Sequence, residues 1–271
     1  MVTVTINKFI NGMMASSAAS STPSFPMTAT WNAANIGAGT GTYALSAVGY
    51  NSPNAYEAIT ADMTAGADYT TSEVLGTNVG ASCEDGKPYA LGGYKTGDSF
   101  AGAVSSTATT TAPAFTNIQN NKYVIVWNVT CPNGTIGGDV EGDQGTLAVT
   151  SIDAVDTSAT ADNSYENGWE YLFHITVPTN EPGIAMKFTD WTSGANTIPV
   201  ANNMRISSAQ ASSTSTVTIL AADTYTIPDL NMITDLNPSM PGIQVQVKVE
   251  VKIPVGTSNA SYTTNYGVRS Q

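Results

Sequence analysis

The residue with the most unusual position in the sequence is Lys8. Strand-like alternation over residues 2–10 places Lys8 on the face that carries four aliphatic side chains, Val2, Val4, Ile6 and Ile10. A lysine among buried aliphatic groups is costly unless it is paired or neutral. Because burial favours the neutral amine, a lysine in this position is also a potential nucleophile.

Two further residues in predicted strands could take part in such chemistry. Glu73 is the one acid of the predicted strand 69–74. Asn128 lies in the predicted strand 122–130, which is apolar on both faces and is therefore expected to be buried. A buried carboxyl group can keep its proton and donate a hydrogen bond. Three aromatic residues could supply the apolar surroundings of such a site: Phe9, Tyr69 and Trp127.

The order of these residues resembles that of the collagen-adhesin B-type domains, prealbumin-like stalk modules of Gram-positive pilins and adhesins. The lysine lies in VTINKFINGM, the glutamate in YTTSEV and the asparagine in VIVWNVT, and the resemblance covers residues 1 to about 135. It implies that the Lys8 amine attacks the side-chain carbonyl of Asn128 and that ammonia leaves. An intramolecular isopeptide bond results, with Glu73 as the catalytic acid and base. The reaction would occur once, on the protein itself, so the resemblance does not imply an enzyme.

A simpler interpretation of the same three residues is a structural ion pair. Lys8 and Glu73 would then form a salt bridge on an edge strand, and Asn128 would be solvated. The chain also departs from the family pattern between its first strand and the glutamate. There the glycine-rich segment NIGAGTGTY interrupts the sequence, and its GAGTG run, residues 37–41, is interpreted as a turn.

The composition favours short strands as the elements that position these residues. Only 11% of the residues are charged and 41% are hydrophobic, and 24 glycines and 13 prolines supply frequent turns. We therefore predict an all-β fold of two tandem β-sandwich domains, Ig-like or prealbumin-like. The first is expected over 1–135 and the second over 146–271, joined by a glycine-rich acidic linker over 136–145.

The second half is similar to recurrent modules of large predicted surface proteins from small-genome bacteria. The similarity covers roughly residues 145–271 and lies in four stretches, ENGWEYLFHITVPTNE, MKFTDW, TIPVANNMRIS and SYTTNYGV. It implies an extracellular chain built from repeats, and it assigns no catalytic residues. The clearest strand of this half is IQVQVKVEVKIPV, in which alternate residues from Ile243 to Val255 are expected to face inward.

The two cysteines predict one disulfide bond. Cys83 and Cys131 both lie beside turn-forming residues, which suits a bridge between a loop and the end of a strand. A pair of unlinked thiols is the alternative, but the rest of the composition is typical of an extracellular protein.

The charge balance excludes several classes of partner and chemistry. Nine basic and 21 acidic residues give a net charge of −12, which argues against nucleic-acid binding and against anionic membrane surfaces. The sequence contains no run of 18 apolar residues, so no membrane-spanning segment is predicted.

The single histidine, His174, cannot build a metal triad or a Ser-His-Asp site. The N-terminus lacks a signal-peptide pattern, so we expect a piece of a longer chain.

Two weaker patterns predict ligand sites. Asp139, Glu141 and Asp143 alternate in the predicted linker and could bind Ca²⁺. The spacing lacks the downstream glutamate of an EF-hand, so a solvated acidic linker is the favoured interpretation. No other cofactor is expected. Trp31 and Trp191 could form exposed platforms for a carbohydrate, with core packing as the alternative.

These observations together predict a structural, extracellular role. We expect a stalk or spacer module of a bacterial cell-surface adhesin, pilus-like or surface-layer protein, crosslinked by its own isopeptide bond. Its partners would be neighbouring modules of the same chain or filament, with a glycan or a host-surface protein as a further possibility. The alternative from a different class is an extracellular carbohydrate-binding module.

Overall fold

The computed structural model describes residues 1–15, 23–33, 37–140, 147–212 and 216–271. It is almost entirely β, as the composition predicts. The chain divides into two compact units, Met1–Thr130 and Cys131–Gln271.

In the first unit, the described residues form ten strands and one short α-helix. The strands are β1 (Val2–Ile10), β2 (Met13–Met14), β3 (Phe25–Ala33), β4 (Gly37–Leu45), β5 (Glu57–Met63), β6 (Ala67–Glu73), β7 (Val79–Gly80), β8 (Tyr89–Gly97), β9 (Ala114–Ile118) and β10 (Lys122–Thr130). The helix, α1, covers Phe100–Ser105, and its N-cap Ser99 side chain accepts a hydrogen bond from the Gly102 amide.

These strands form two sheets around a common core. Sheet 1 has the order β2–β1–β10–β8–β7, and β5 also pairs with β1; sheet 2 has the order β4–β3–β6–β9. Strands β1 and β10 are parallel neighbours, and their register aligns Lys8 with Val126 and Ile10 with Asn128. Because side chains alternate along a strand, the aliphatic face of β1 packs inward against sheet 2, as predicted from its sequence.

The glycine-rich run is a strand and not a turn. Residues 37–41 belong to β4, which pairs with β3 in an antiparallel register that places Gly41 opposite Ala29. A Cβ atom at Gly41 would lie 3.3 Å from the Trp31 ring, so glycine leaves room for the indole at this position. The prediction of a turn was wrong because the run was interpreted from its glycine content alone.

In the second unit, the described residues form eleven further strands. They are β11 (Asn133–Asp139), β12 (Ala148–Asp156), β13 (Trp169–Val177), β14 (Gly183–Phe188), β15 (Trp191–Ser193), β16 (Asn196–Ile198), β17 (Met204–Ser207), β18 (Thr216–Thr218), β19 (Leu230–Asn231), β20 (Ile243–Val251) and β21 (Ser261–Ser270).

These strands also form two sheets. One has the order β16–β15–β21–β14–β19, with β11 paired to β21, and the other has the order β12–β13–β20–β17–β18. Strand β11 runs parallel to β21, so the first and last strands of this unit are parallel neighbours as well. Residues 136–139 of the predicted linker therefore lie in a paired strand, and 141–146 lie outside the described residues. Val255 is exposed, contrary to its predicted inward position, because β20 ends at Val251.

The predicted disulfide bond is present. Cys83 begins a short 3-10 helix, Cys83–Asp85, and is joined to Cys131, the residue that follows β10. None of the helices in the described ranges has the length and apolarity needed to cross a bilayer.

Candidate functional site

Lys8, Glu73 and Asn128 meet inside the first unit. Lys8 and Asn128 lie on the inner face of sheet 1, on the parallel neighbours β1 and β10, and both have an exposed fraction of 0%. Glu73 is the last residue of β6 in sheet 2, and its exposed fraction is 5%. The three residues therefore meet across the interior of the sandwich, shielded from water.

One carboxylate oxygen contacts both of the other side chains. Glu73 Oε1 forms a short ion pair with Lys8 Nζ, and it also accepts a hydrogen bond of 3.3 Å from Asn128 Nδ2. The Phe25 ring packs against the amine, with its centroid 4.2 Å from Nζ. The amine and the amide are thus held at the same oxygen, beside an aromatic ring.

Burial changes the chemistry of the amine. Desolvation lowers the pKa of Lys8 to about 8, although attraction to the Glu73 carboxylate and their hydrogen bond act in the opposite direction. An amine with this pKa is about one-tenth neutral at pH 7, because each pH unit below the pKa reduces the neutral fraction tenfold. Only the neutral amine has the free electron pair that a nucleophile needs.

Two buried acceptor atoms of the site have no hydrogen-bond partner, Glu73 Oε2 and Asn128 Oδ1. Buried acceptors without a partner are uncommon and carry a desolvation cost. A single proton on the Glu73 carboxyl would convert one of them into a donor. The site therefore has a place for a proton that moves between the amine, the carboxylate and the amide.

Asn11 fixes the end of the strand that carries Asn128. The backbone amide of Asn11 donates to the backbone carbonyl of Asn128 at 2.9 Å. The Asn11 side chain bonds twice to Thr130: its oxygen accepts from the Thr130 backbone amide at 3.0 Å, and its Nδ2 donates to Thr130 Oγ1 at 3.0 Å. Asn11 follows β1 directly and has a φ of 50°, in the left-handed region that asparagine tolerates. The turn after β1 is therefore bonded to the residues on each side of Val129.

The aromatic surroundings differ in part from the prediction. Tyr69 is buried in the core of the first unit, as expected. Phe9 and Trp127, however, belong to a separate cluster with Ile125 and Ala103 of α1. Each is adjacent in its strand to Lys8 or Asn128, so its side chain points to the opposite face of sheet 1. Phe25, which sequence reasoning missed, takes their place.

The alternative of an exposed structural ion pair is partly wrong. The Lys8–Glu73 ion pair exists, but β1 is not an edge strand, because it pairs with β10 on one side and with β5 and β2 on the other. Asn128 is fully buried and not solvated. The ion pair therefore lies in an environment where the desolvation of two charges is most costly.

The weaker predicted sites have less support. Trp191 has an exposed fraction of 0% and packs on Trp169, with ring centroids 4.7 Å apart, so it cannot form an exposed platform. Trp31 is half-buried and packs against the core. Asp139 lies in β11, whereas Glu141 and Asp143 lie outside the described residues. Within the described ranges, no group of three or more His, Cys, Asp or Glu residues is placed to bind a metal.

No protein-family model matches the chain, and no curated protein matches it at a significant level.

Proposed function

We propose that the first unit is a self-crosslinking structural module, in which Lys8 and Asn128 form an isopeptide bond with Glu73 as acid and base. The observation that carries the proposal is the shared contact at Glu73 Oε1, where both the amine and the amide bind. The resemblance to the collagen-adhesin B-type domains supports the same roles for the same three residues.

The proposed reaction moves one proton and exchanges one bond. Neutral Lys8 Nζ attacks Asn128 Cγ, so that the Nζ–Cγ bond forms and the carbonyl oxygen takes negative charge. Glu73 Oε1 receives a proton from the attacking nitrogen and passes it to Nδ2, which it already contacts. The Cγ–Nδ2 bond then breaks and ammonia leaves. The carboxylate ends in its starting state, and no co-reactant is consumed.

The proposed biological role is that of an extracellular stalk or spacer in a bacterial surface protein. A low content of charged residues and the disulfide between Cys83 and Cys131 support an extracellular location. A second covalent link would join the first and last strands of the unit and oppose local opening, which is the step that proteolysis requires. The partners proposed for it are neighbouring modules of the same chain or filament.

The intact mass of the purified chain tests the reaction. We expect the wild type, with its disulfide reduced, to be lighter than its sequence by the mass of one ammonia. Lys8→Ala, Asn128→Ala and Glu73→Ala are each expected to have the full mass calculated from their sequences, since each removes one participant.

Lys122→Ala is the matched control. Lys122 lies in the same strand as Asn128 and forms a short ion pair with Asp98. Unlike Lys8 and Glu73, both side chains of this pair are exposed to solvent at least in part. This variant should lose ammonia as the wild type does. A folded wild type of full mass would refute the crosslink and leave Lys8–Glu73 as a buried ion pair.

A further inference from the structure

A third residue fixes the position of Glu73, and it was not evident from the sequence. The Tyr94 hydroxyl of β8 accepts a hydrogen bond of 2.9 Å from the backbone amide of Glu73. Tyr94 has an exposed fraction of 3%. This bond crosses the interior of the sandwich, because β8 belongs to sheet 1 and β6 to sheet 2.

The register of sheet 1 places Tyr94 beside the reacting residues. Val126 of β10 aligns with Lys8 on one side and with Tyr94 on the other. Lys8, Val126 and Tyr94 therefore form one row on the inner face of three adjacent strands. Glu73 reaches this row from the facing sheet, with its side chain on Lys8 and its backbone on Tyr94.

The Glu73 amide needs this hydroxyl because its own sheet offers it no strand partner. The last aligned pair of β6 and β9 is Thr70 with Ala114, and the next amide, that of Thr71, bonds to the Pro113 carbonyl at 3.2 Å. The Val74 amide bonds to β3 through the Pro26 carbonyl, so the preceding amide points to the opposite side. On that side β9 does not extend as far as Glu73, so Tyr94 supplies the missing acceptor.

We propose that Tyr94 is a positioning residue for the crosslink, holding the end of β6 so that Glu73 Oε1 stays in contact with both nitrogens. The effect of Tyr94 on the crosslink rests on the proposed function, whereas the placement of Glu73 by Tyr94 does not depend on it. Small displacements of a catalytic group can reduce a rate by an order of magnitude or more. Tyr94 contacts the Glu73 backbone and acts through it.

The first test compares the crosslinking rates of two Tyr→Phe variants. The full chain is synthesised in a cell-free system, collected in denaturant and refolded by dilution in one redox buffer, and the loss of ammonia is followed by intact mass. We expect Tyr94→Phe to slow the loss by about tenfold or more. The matched control is Tyr43→Phe, whose buried hydroxyl lies 3.2 Å from Thr71 Oγ1 in the same core. It should stay within about twofold of the wild type.

The second test measures the placement of Glu73 without any crosslinking. In an Asn128→Ala background the bond cannot form, and the pKa of Lys8 can be titrated by NMR of labelled lysine side chains. The Glu73 carboxylate raises this pKa against the effect of burial. Displacing Glu73 should therefore lower the pKa of Lys8 further when Tyr94→Phe is added, and Tyr43→Phe should leave it unchanged. Removing a hydroxyl that had only a structural role would leave the pKa of Lys8 unchanged.

The two tests separate the two proposals. A slower rate together with a lower pKa of Lys8, both specific to Tyr94→Phe, supports the positioning role. An unchanged rate and pKa, or equal effects of Tyr94→Phe and Tyr43→Phe, would overturn it. If the wild type never loses ammonia but Tyr94→Phe still lowers the pKa of Lys8, the crosslink fails and the positioning of Glu73 stands.

Discussion

The two units of the chain share a topological feature but differ in what fills their interiors. In each, the first strand is a parallel neighbour of the last, β1 with β10 and β11 with β21. The first unit buries an amine, a carboxylate and an amide, whereas the buried polar residues of the second unit, over its described residues, are three uncharged ones, Ser208, Thr226 and Thr264. The comparison separates architecture from chemistry, since the same parallel pairing of first and last strands exists with and without a buried ion pair.

The second unit shows how such a sandwich is stabilised without them. Trp191 packs on Trp169 and on Tyr171, with ring centroids 4.7 and 5.9 Å apart. Aromatic groups of this size bury a large apolar area and add favourable ring contacts. Replacing a buried ion pair by apolar residues is often neutral or stabilising, so the polar group of the first unit is not explained by stability.

The largest expected difference between the units is in their response to loss of the proposed crosslink. Asn128→Ala should lower the free energy of unfolding of the first unit by about 5 kcal/mol, because the closed loop between Lys8 and Asn128 no longer restricts the unfolded chain. Calorimetry should show one transition moved and the transition of the second unit unchanged.

Asn7→Ala is the control for that substitution. Asn7 is a buried asparagine of β1 whose Nδ2 donates to Glu57 Oε2 at 2.8 Å, and its loss should cost only about 1 kcal/mol, the contribution of a hydrogen bond. Equal effects of Asn128→Ala and Asn7→Ala would contradict a covalent link.

A substitution in the core of the second unit tests the same comparison from the other side. Trp191→Ala should lower the free energy of unfolding of that unit by about 4 kcal/mol, because it leaves a cavity in the aromatic cluster. The mass deficit of one ammonia should be retained. Denaturant unfolding and intact mass on one sample would check both, and loss of the deficit would show that the two units do not behave independently.

The disulfide offers a smaller, separable effect. Replacing both Cys83 and Cys131 by alanine should destabilise the folded chain by about 4 kcal/mol, through the greater freedom of the unfolded chain. The ammonia should still be lost, since neither cysteine takes part in the proposed reaction. Thermal unfolding with and without reductant checks the first expectation, and a variant of full mass would contradict the second.

The smallest expected effect concerns pH. Because the proposed reaction needs the neutral amine and the pKa of Lys8 is lowered to about 8, the crosslinking rate should rise about tenfold from pH 6 to pH 7 and level off above pH 8. An unburied lysine, with a pKa near 10.5, would show no plateau in that range. Refolding the denatured chain at a series of pH values and measuring its mass over time gives the profile.

Much of the fold and of the site could be predicted from local patterns. Alternation placed Lys8 inward on β1, and Lys8 is fully buried. The alternation from Ile243 to Val255 predicted β20, although the strand ends at Val251. Alternating patterns predict which side chains of a strand are buried, because a shift of one residue would expose a whole apolar face.

The remaining features depend on contacts between residues far apart in the chain. Tyr94 meets Glu73, and Phe25 meets Lys8, only after the two sheets pack face to face. Phe9 and Trp127 were predicted as neighbours of the site because they are adjacent in sequence to Lys8 and Asn128. For the same reason they point to the other face of the sheet.

The parallel pairing of β1 and β10 also determines how the first unit would respond to mechanical tension. In a parallel pair, the start of β1 and the end of β10 lie at opposite ends of the pair, so pulling on Val2 and Thr130 loads it in shear. With an isopeptide bond, the force would pass from Lys8 directly to Asn128. Residues 9–127 would then carry no load, and roughly 400 Å of extended chain would never be released. Such a module would be nearly inextensible, whereas the second unit would lengthen once its strands part.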